Sequence, residues 1–123
     1  MPSIVVLGAS EDRAKFGNKC VRAYAKLGYD VYPVNPKAQK IEGLKCYKSI
    51  AEVPVTDIDR VSFYLPPPVG LKVIEEVTKK KVGEVWLNPG AESDELIDKA
   101  EKLGLNVIAA CSIVDVGPMP SST

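Results

Sequence analysis

The chain has 123 residues, with 16 basic and 16 acidic side chains that cancel, and no histidine. This balance gives no ground for electrostatic capture of nucleic acid or a membrane, and no apolar run reaches the roughly 20 residues of a membrane span. The length suits one domain, and the three spaced cysteines without a Cys-x-x-Cys suit a reduced, cytoplasmic setting.

Ile4-Val5-Val6-Leu7 is a continuous apolar run that reads as a strand buried on both faces, as in a parallel sheet. Gly8-Ala9-Ser10 then turns sharply, and a polar stretch leads to Phe16-Gly17-Asn18. A helix is predicted from about Asn18 to Leu27, with Cys20, Tyr24 and Leu27 on its inner face and Gly28 at its end. Tyr29 to Val34 is the second strand, closed by Asn35-Pro36. Lys37 to Leu44 reads as a connection, and Lys45-Cys46-Tyr47 as a short edge strand. Ser49-Ile50-Ala51-Glu52 matches a capping box, which Pro54 limits to about one turn.

Asp59 to Leu65 is the next strand, ended by Pro66-Pro67-Pro68. A helix from about Val69 to Lys80 follows, with Val69, Val73 and Val77 as its predicted inner stripe. Glu84 to Leu87 is a strand that turns at Asn88-Pro89-Gly90. Ser93 is placed to cap a helix carrying Leu96, Ala100 and Leu103 inward, and Asn106 to Ala110 is the last strand. The alternation predicts an α/β fold: a doubly wound parallel sheet in three layers, Rossmann-like, with strand order 3-2-1-4-5-6. Residues 1–123 form a single domain in this reading, with 117–123 a frayed or draped tail.

Ligands bind such sheets at the carboxyl ends of the strands, where the strand order reverses. Four loops reach that rim. Gly8, Ala9 and Ser10, with the amides near Phe16 and Gly17, are candidates to hold phosphate, or simply a tight turn. The turn is neither Gly-x-Gly-x-x-Gly nor a Gly-Lys-Ser/Thr phosphate loop. Asn35, Pro36 and Lys37 stand after Val34, where NAD-binding sheets carry a carboxylate. A cation there favours a nucleotide with an extra ribose phosphate, as in NADP or coenzyme A; otherwise Lys37 is a solvated charge. Tyr64, Leu65, Pro66 and Pro67 offer a stiff apolar wall, or a helix start. Asn88, Pro89 and Gly90 close the rim, with Asn88 either bonding a ligand amide or bracing its own turn.

In this order and spacing, Gly8-Ala9-Ser10, Val34-Asn35-Pro36-Lys37, Tyr64 to Pro68 and Asn88-Pro89-Gly90 resemble the CoA-binding domain family. These are stand-alone Rossmann domains similar to the amino-terminal domain of the succinyl-CoA synthetase alpha subunit. The resemblance spans about Ser3 to Ile113 and implies coenzyme A or an acyl-CoA across the carboxyl rim. It places the pyrophosphate near Gly8 to Ser10 and Phe16-Gly17, and the nucleotide end near Asn35 to Lys37. The pantetheine arm would pass Leu65, Pro66 and Asn88 to Gly90. Three positions depart from many stand-alone members: Leu65 replaces an Arg, Asn88 a Gln, and Ala110 an Arg.

No nucleophile–base pair or carboxylate pair is legible, so a binding module without its own catalysis is expected. The phosphorylated histidine of the synthetase lies outside its CoA domain, and its activity is not carried over. Cys111 is the one thiol near the rim, either inert or able to form a mixed disulfide with a bound CoA thiol. The alternatives are a small NADP-dependent oxidoreductase, or a regulatory or scaffold subunit with a vestigial nucleotide pocket. Expected partners are a small-molecule nucleotide cofactor, with a homodimer or a partner subunit left open; no metal, nucleic acid or membrane is expected.

Overall fold

The computed structural model describes residues 2–123. Its centre is β1 (Ser3–Leu7), all five residues of which are buried. The strand pairs in parallel with β2 (Asp30–Val34) on one side and β5 (Asp57–Phe63) on the other. Beyond β5 lie β6 (Lys81–Leu87) and β7 (Val107–Ile108), also parallel. The order β2-β1-β5-β6-β7 reverses direction between β1 and β5, which is the switch point predicted from the sequence.

Side chains alternate across this sheet and divide the core in two. Ile4 and Val6 face α1 (Phe16–Lys26), where Cys20, Val21 and Tyr24 are fully buried. Val5, Leu7, Val61 and Phe63 face α2 (Pro67–Val77) and α3 (Asp94–Lys102), meeting Ile74, Leu96 and Ala100. These are the expected three layers. Ser93 caps α3, its Oγ accepting from the Leu96 amide at 3.0 Å, and Asp94 and Glu95 complement the dipole as the sequence indicated. The tail lies along α1, where the Arg22 guanidinium donates to the Ser121 carbonyl at 2.6 Å.

Several local expectations are corrected. The third position of the sheet is not a strand. Its chain forms a separate antiparallel hairpin, β3 (Lys40–Ile41) and β4 (Leu44–Lys45), across the expected connection and the first residue of the expected edge strand Lys45–Tyr47. The tip residues Glu42 and Gly43 both take positive φ, 51° and 78°, which a two-residue turn of the right twist requires. From this segment, among the described residues, only Tyr47 pairs with β2, as a single parallel bridge to Val34. The predicted capping box is a 3-10 turn, Ile50–Glu52, and the Ser49 side chain makes no cap bond. α1 begins at Phe16 rather than Asn18, and Leu27 is outside it and exposed. Leu103, likewise expected inside, is exposed.

The stripe of α2 is the most consequential correction. Gly70, Ile74 and Val77 are its buried residues. Val69 is exposed and Val73 half-buried, and both face the rim cavity described below. Both stripes are apolar at helical spacing, so periodicity alone does not choose between them. The close packing at Gly70 does: a Cβ there would lie 2.9 Å from the Leu96 side chain and 3.7 Å from that of Phe63.

Candidate functional site

The rim is built on one contact that only glycine permits. Gly8 leaves β1 with φ of 84°, and a Cβ there would lie 2.6 Å from the Tyr64 carbonyl oxygen. Gly17, in the first turn of α1, lies against the Gly8 carbonyl, so a Cβ at 17 would approach that oxygen to 2.3 Å. The two glycines thus seat the positive end of α1 directly on the end of β1. The amides of Gly8 and Ala9 both donate to the Val34 carbonyl, each at 3.2 Å. Free donors for an anion are therefore left to the residues beyond Ala9 and to the first turn of α1.

The loop from Ser10 to Lys15 is held from several directions. Ser10 Oγ accepts from the Asp12 amide at 3.0 Å. Asn18 is fully buried; its Nδ2 donates to the Ser10 carbonyl at 2.9 Å and to Glu42 Oε2 at 3.0 Å, and its Oδ1 accepts from Arg22 at 2.7 Å. Glu42 also pairs with Arg13. The bond from Asn18 and then the Arg13 pair hold the Glu42 carboxyl below its ordinary range. The tip of the β3–β4 hairpin is thereby tied to the loop. Phe16 is exposed, with the Lys19 ammonium 4.9 Å above its ring, and lines neither rim cavity.

Asn35 fixes the next loop. Its Nδ2 donates to the Ala9 carbonyl at 2.8 Å, and its Oδ1 accepts from the Lys37 amide at 2.8 Å. With both ends engaged, Asn35 shapes the rim and leaves the Lys37 ammonium exposed. Across from it, Leu65 stands between two hollows. One, of about 400 Å³, lies between the ends of β1, β2 and β5 and the side of α2. It is lined by Gly8, Val34, Asn35, Pro36, Lys37 and Leu65, as the sequence suggested, and by Lys48, Ser49, Ile50, Val69, Val73 and Glu76, which the sequence did not assign to the rim. The other, of about 310 Å³, is a more open groove along Tyr64, Leu65, Pro66, Pro67, Pro89, Gly90 and Ala91. Of the predicted rim residues, Gly8, 34–37, 64–67, Pro89 and Gly90 line these two hollows, which share Leu65, whereas Ala9, Ser10, Phe16, Gly17 and Asn88 line neither.

Asn88 sits beneath the groove, fully buried. Its Nδ2 donates to Ser62 Oγ at 2.8 Å and to the Phe63 carbonyl at 2.7 Å. Its Oδ1 accepts from the Ser112 amide at 2.8 Å and from Ser112 Oγ at 3.0 Å. All four hydrogen-bonding positions of the amide are engaged, which makes it the brace between β5, β6 and the chain after β7. Cys20 lies 3.8 Å from both serine hydroxyls, and burial pushes its thiol up to about 11. Burial likewise raises the Tyr64 phenol, which contacts Ser112 Oγ at 3.4 Å. Cys46 is buried and its thiol is raised by burial; Cys111 is half-buried beside this cluster. Among the described residues no group of three or more His, Cys, Asp or Glu could hold a metal ion, and no helix is long and apolar enough to cross a membrane.

Fold and rim together define an α/β domain of the Rossmann type, with its cavity where the strand order reverses. The family model described as CoA binding domain matches residues 2–117, and the chain belongs to that family. An ADP-forming acetate–CoA ligase of Methanocaldococcus jannaschii is 38% identical over 89 residues, covering 72% of this chain and 12% of the relative. The subunit alpha of ADP-forming acetate–CoA ligase II from Pyrococcus furiosus is 30% identical over 116 residues, 85% of this chain and 25% of the relative. The chain thus spans an eighth to a quarter of the length of these curated relatives. Among solved structures, a conserved hypothetical protein of Pyrococcus furiosus superposes with a TM-score of 0.84 at 39% identity, covering 94% of this chain and 99% of that one. The apo dinucleotide-forming acetyl-coenzyme A synthetase 1 of Ca. Korarchaeum cryptofilum gives 0.74 at 31% identity, over 88% of this chain and 26% of that one.

Proposed function

We propose that the protein binds coenzyme A or an acyl-CoA along its carboxyl rim, in the cytoplasm, and has no catalysis of its own. The observation that carries this reading is the pair of hollows sharing Leu65, in a chain of the CoA binding domain family. A nucleotide needs an apolar floor for its base and cations for its phosphates. Leu7, Val34, Ile50, Val69 and Val73 supply the floor, and Lys37 stands at its edge. The pyrophosphate then crosses Gly8, Ala9 and Ser10 toward the first turn of α1 at Phe16 and Gly17. The pantetheine arm follows the stiff wall of Tyr64, Pro66 and Pro67 and leaves past Pro89 and Gly90. Asn88 holds that exit in shape rather than bonding the ligand through its side chain.

The similarity to CoA ligases, of which this chain matches only a part, supports a role as the coenzyme-holding unit of a larger reaction, with a partner subunit or domain supplying the chemistry. Calorimetric titration with CoA and acetyl-CoA tests the binding. At one hundred times the dissociation constant, the ligand would stabilise the fold by about 2.7 kcal/mol. Absence of heat and of any thermal shift with either ligand would refute the reading.

A further inference from the structure

Lys48 carries the inference. It lies outside the four rim loops that the sequence singled out, yet it lines the same cavity as Lys37. The reason is topological. Tyr47 is the one residue that bridges β2 from the vacant third position, its amide donating to the Pro33 carbonyl and its carbonyl accepting from Asn35, both at 2.9 Å. That bridge sets the chain after Tyr47 level with the chain after Val34. Lys48 therefore leaves the rim beside the turn that carries Lys37. Ile50, fully buried, anchors the segment from below.

Neither ammonium has an ion-pair partner among the described residues. Among the described residues the only carboxylate lining the cavity is that of Glu76, which comes from α2, and it too has no ion pair there. Two free cations and one free carboxylate give the cavity a positive edge in a chain of zero net charge. The cations emerge from the β2 side, and the carboxylate biases an anion toward them. Two ammoniums on one cavity suit a dianion rather than a single ribose hydroxyl.

We propose that Lys48 acts with Lys37 as a two-cation reader of a ribose phosphomonoester, so that the cavity selects 3′-phosphorylated coenzyme A over its 3′-dephospho form. The proposal rests on the coenzyme A reading above and adds the residue that sets its selectivity. A phosphomonoester carries about −1.5 to −2 at pH 7, with a second pKa of about 6. The preference therefore shrinks as pH falls below 6, and it weakens in high salt because both lysines are exposed.

The test is calorimetric titration of the wild-type chain, Lys48→Gln and Lys48→Arg with coenzyme A and with 3′-dephospho-coenzyme A. Lys48→Gln should weaken coenzyme A about five- to tenfold and leave the dephospho form within about twofold, the scale of one charge-assisted contact. Lys48→Arg should keep the preference. Equal weakening of both ligands by Lys48→Gln, or no weakening of either, would overturn the proposal. So would a wild-type protein that binds both forms equally, in which case the coenzyme A reading survives. A wild-type protein that binds neither form removes that reading as well.

Discussion

The carbonyl oxygen of Gly8 occupies the space that a side chain on Gly17 would need, 2.3 Å from its would-be Cβ. The obstacle is backbone at the end of the central strand, so it has no flexible end to move. Gly17→Ala should lower unfolding stability by about 1–3 kcal/mol, the usual range for inserting a methyl into a filled space. Because the shift falls where the helix meets the rim, ligand affinity should fall with it. Urea denaturation monitored by circular dichroism, paired with a titration of the same variant, reads both effects. Unchanged stability would mean that α1 can back away from β1 freely.

Asn88→Ala removes four hydrogen bonds at once, taking the side-chain donor from the Phe63 carbonyl and the acceptor from the buried Ser112 amide. An expected loss of about 3 kcal/mol follows from leaving buried polar groups unpaired. Asn88→Asp should be no milder, since a carboxylate oxygen would then face the Phe63 carbonyl. Equilibrium unfolding checks both, and a loss below 1 kcal/mol for both would show that the brace is dispensable.

Glu42 gives a pH signature with a definite sign. Its carboxyl is held below the ordinary 4.5 by the Asn18 bond and then by Arg13. A depressed carboxylate stabilises the fold fully above its unfolded value, and that contribution is lost as pH falls through the folded value. Stability of the wild type should therefore drop on the acid side, below about pH 4.5, more steeply than that of Glu42→Gln. Denaturation curves at pH 7, 5 and 3.5 give the comparison. Parallel curves would show that the hairpin tip contributes nothing through its charge.

Thiol accessibility separates the three cysteines. Cys20 is fully buried with its thiol pushed to about 11, and Cys46 is buried and raised as well. Cys111 is half-buried, at the chain just past β7. Since the thiolate is the reacting species, native alkylation at pH 8 should label Cys111 first and leave the other two protected until unfolding. Peptide mass spectrometry after a short iodoacetamide pulse would show it. Early labelling of Cys20 would mean that the Ser62–Ser112 layer opens in the native state.

The order of strands and helices was readable because each element carried a strong local signal: the apolar run of β1, the glycines after α1 and α3, and Ser93 before Asp94 and Glu95. The rim loops were readable for the same reason, since Gly8, Asn35 and Pro66 are residues that mark chain direction. What the sequence withheld depends on contacts between distant segments. Val69 and Val73 match a core stripe, and the packing of Gly70 against Leu96 and Phe63 is what leaves them facing the cavity. The β3–β4 hairpin was hidden because its strands have two residues each, too short for an alternating pattern. The Glu42 tie to Asn18 and Lys48's place beside Lys37 arise from the same rearrangement of the third strand position.

That one-residue bridge at Tyr47 has a cost in cooperativity. A full third strand would lock the turn at Asn35 into the ladder over several rungs, whereas here two backbone bonds hold it. Local opening should therefore be easiest at the flank where the nucleotide end of a ligand would rest. A ligand bridging that flank to α2 would supply the missing ladder, and its arrival should be seen first as slowed hydrogen exchange at the amides of Asn35 and Tyr47.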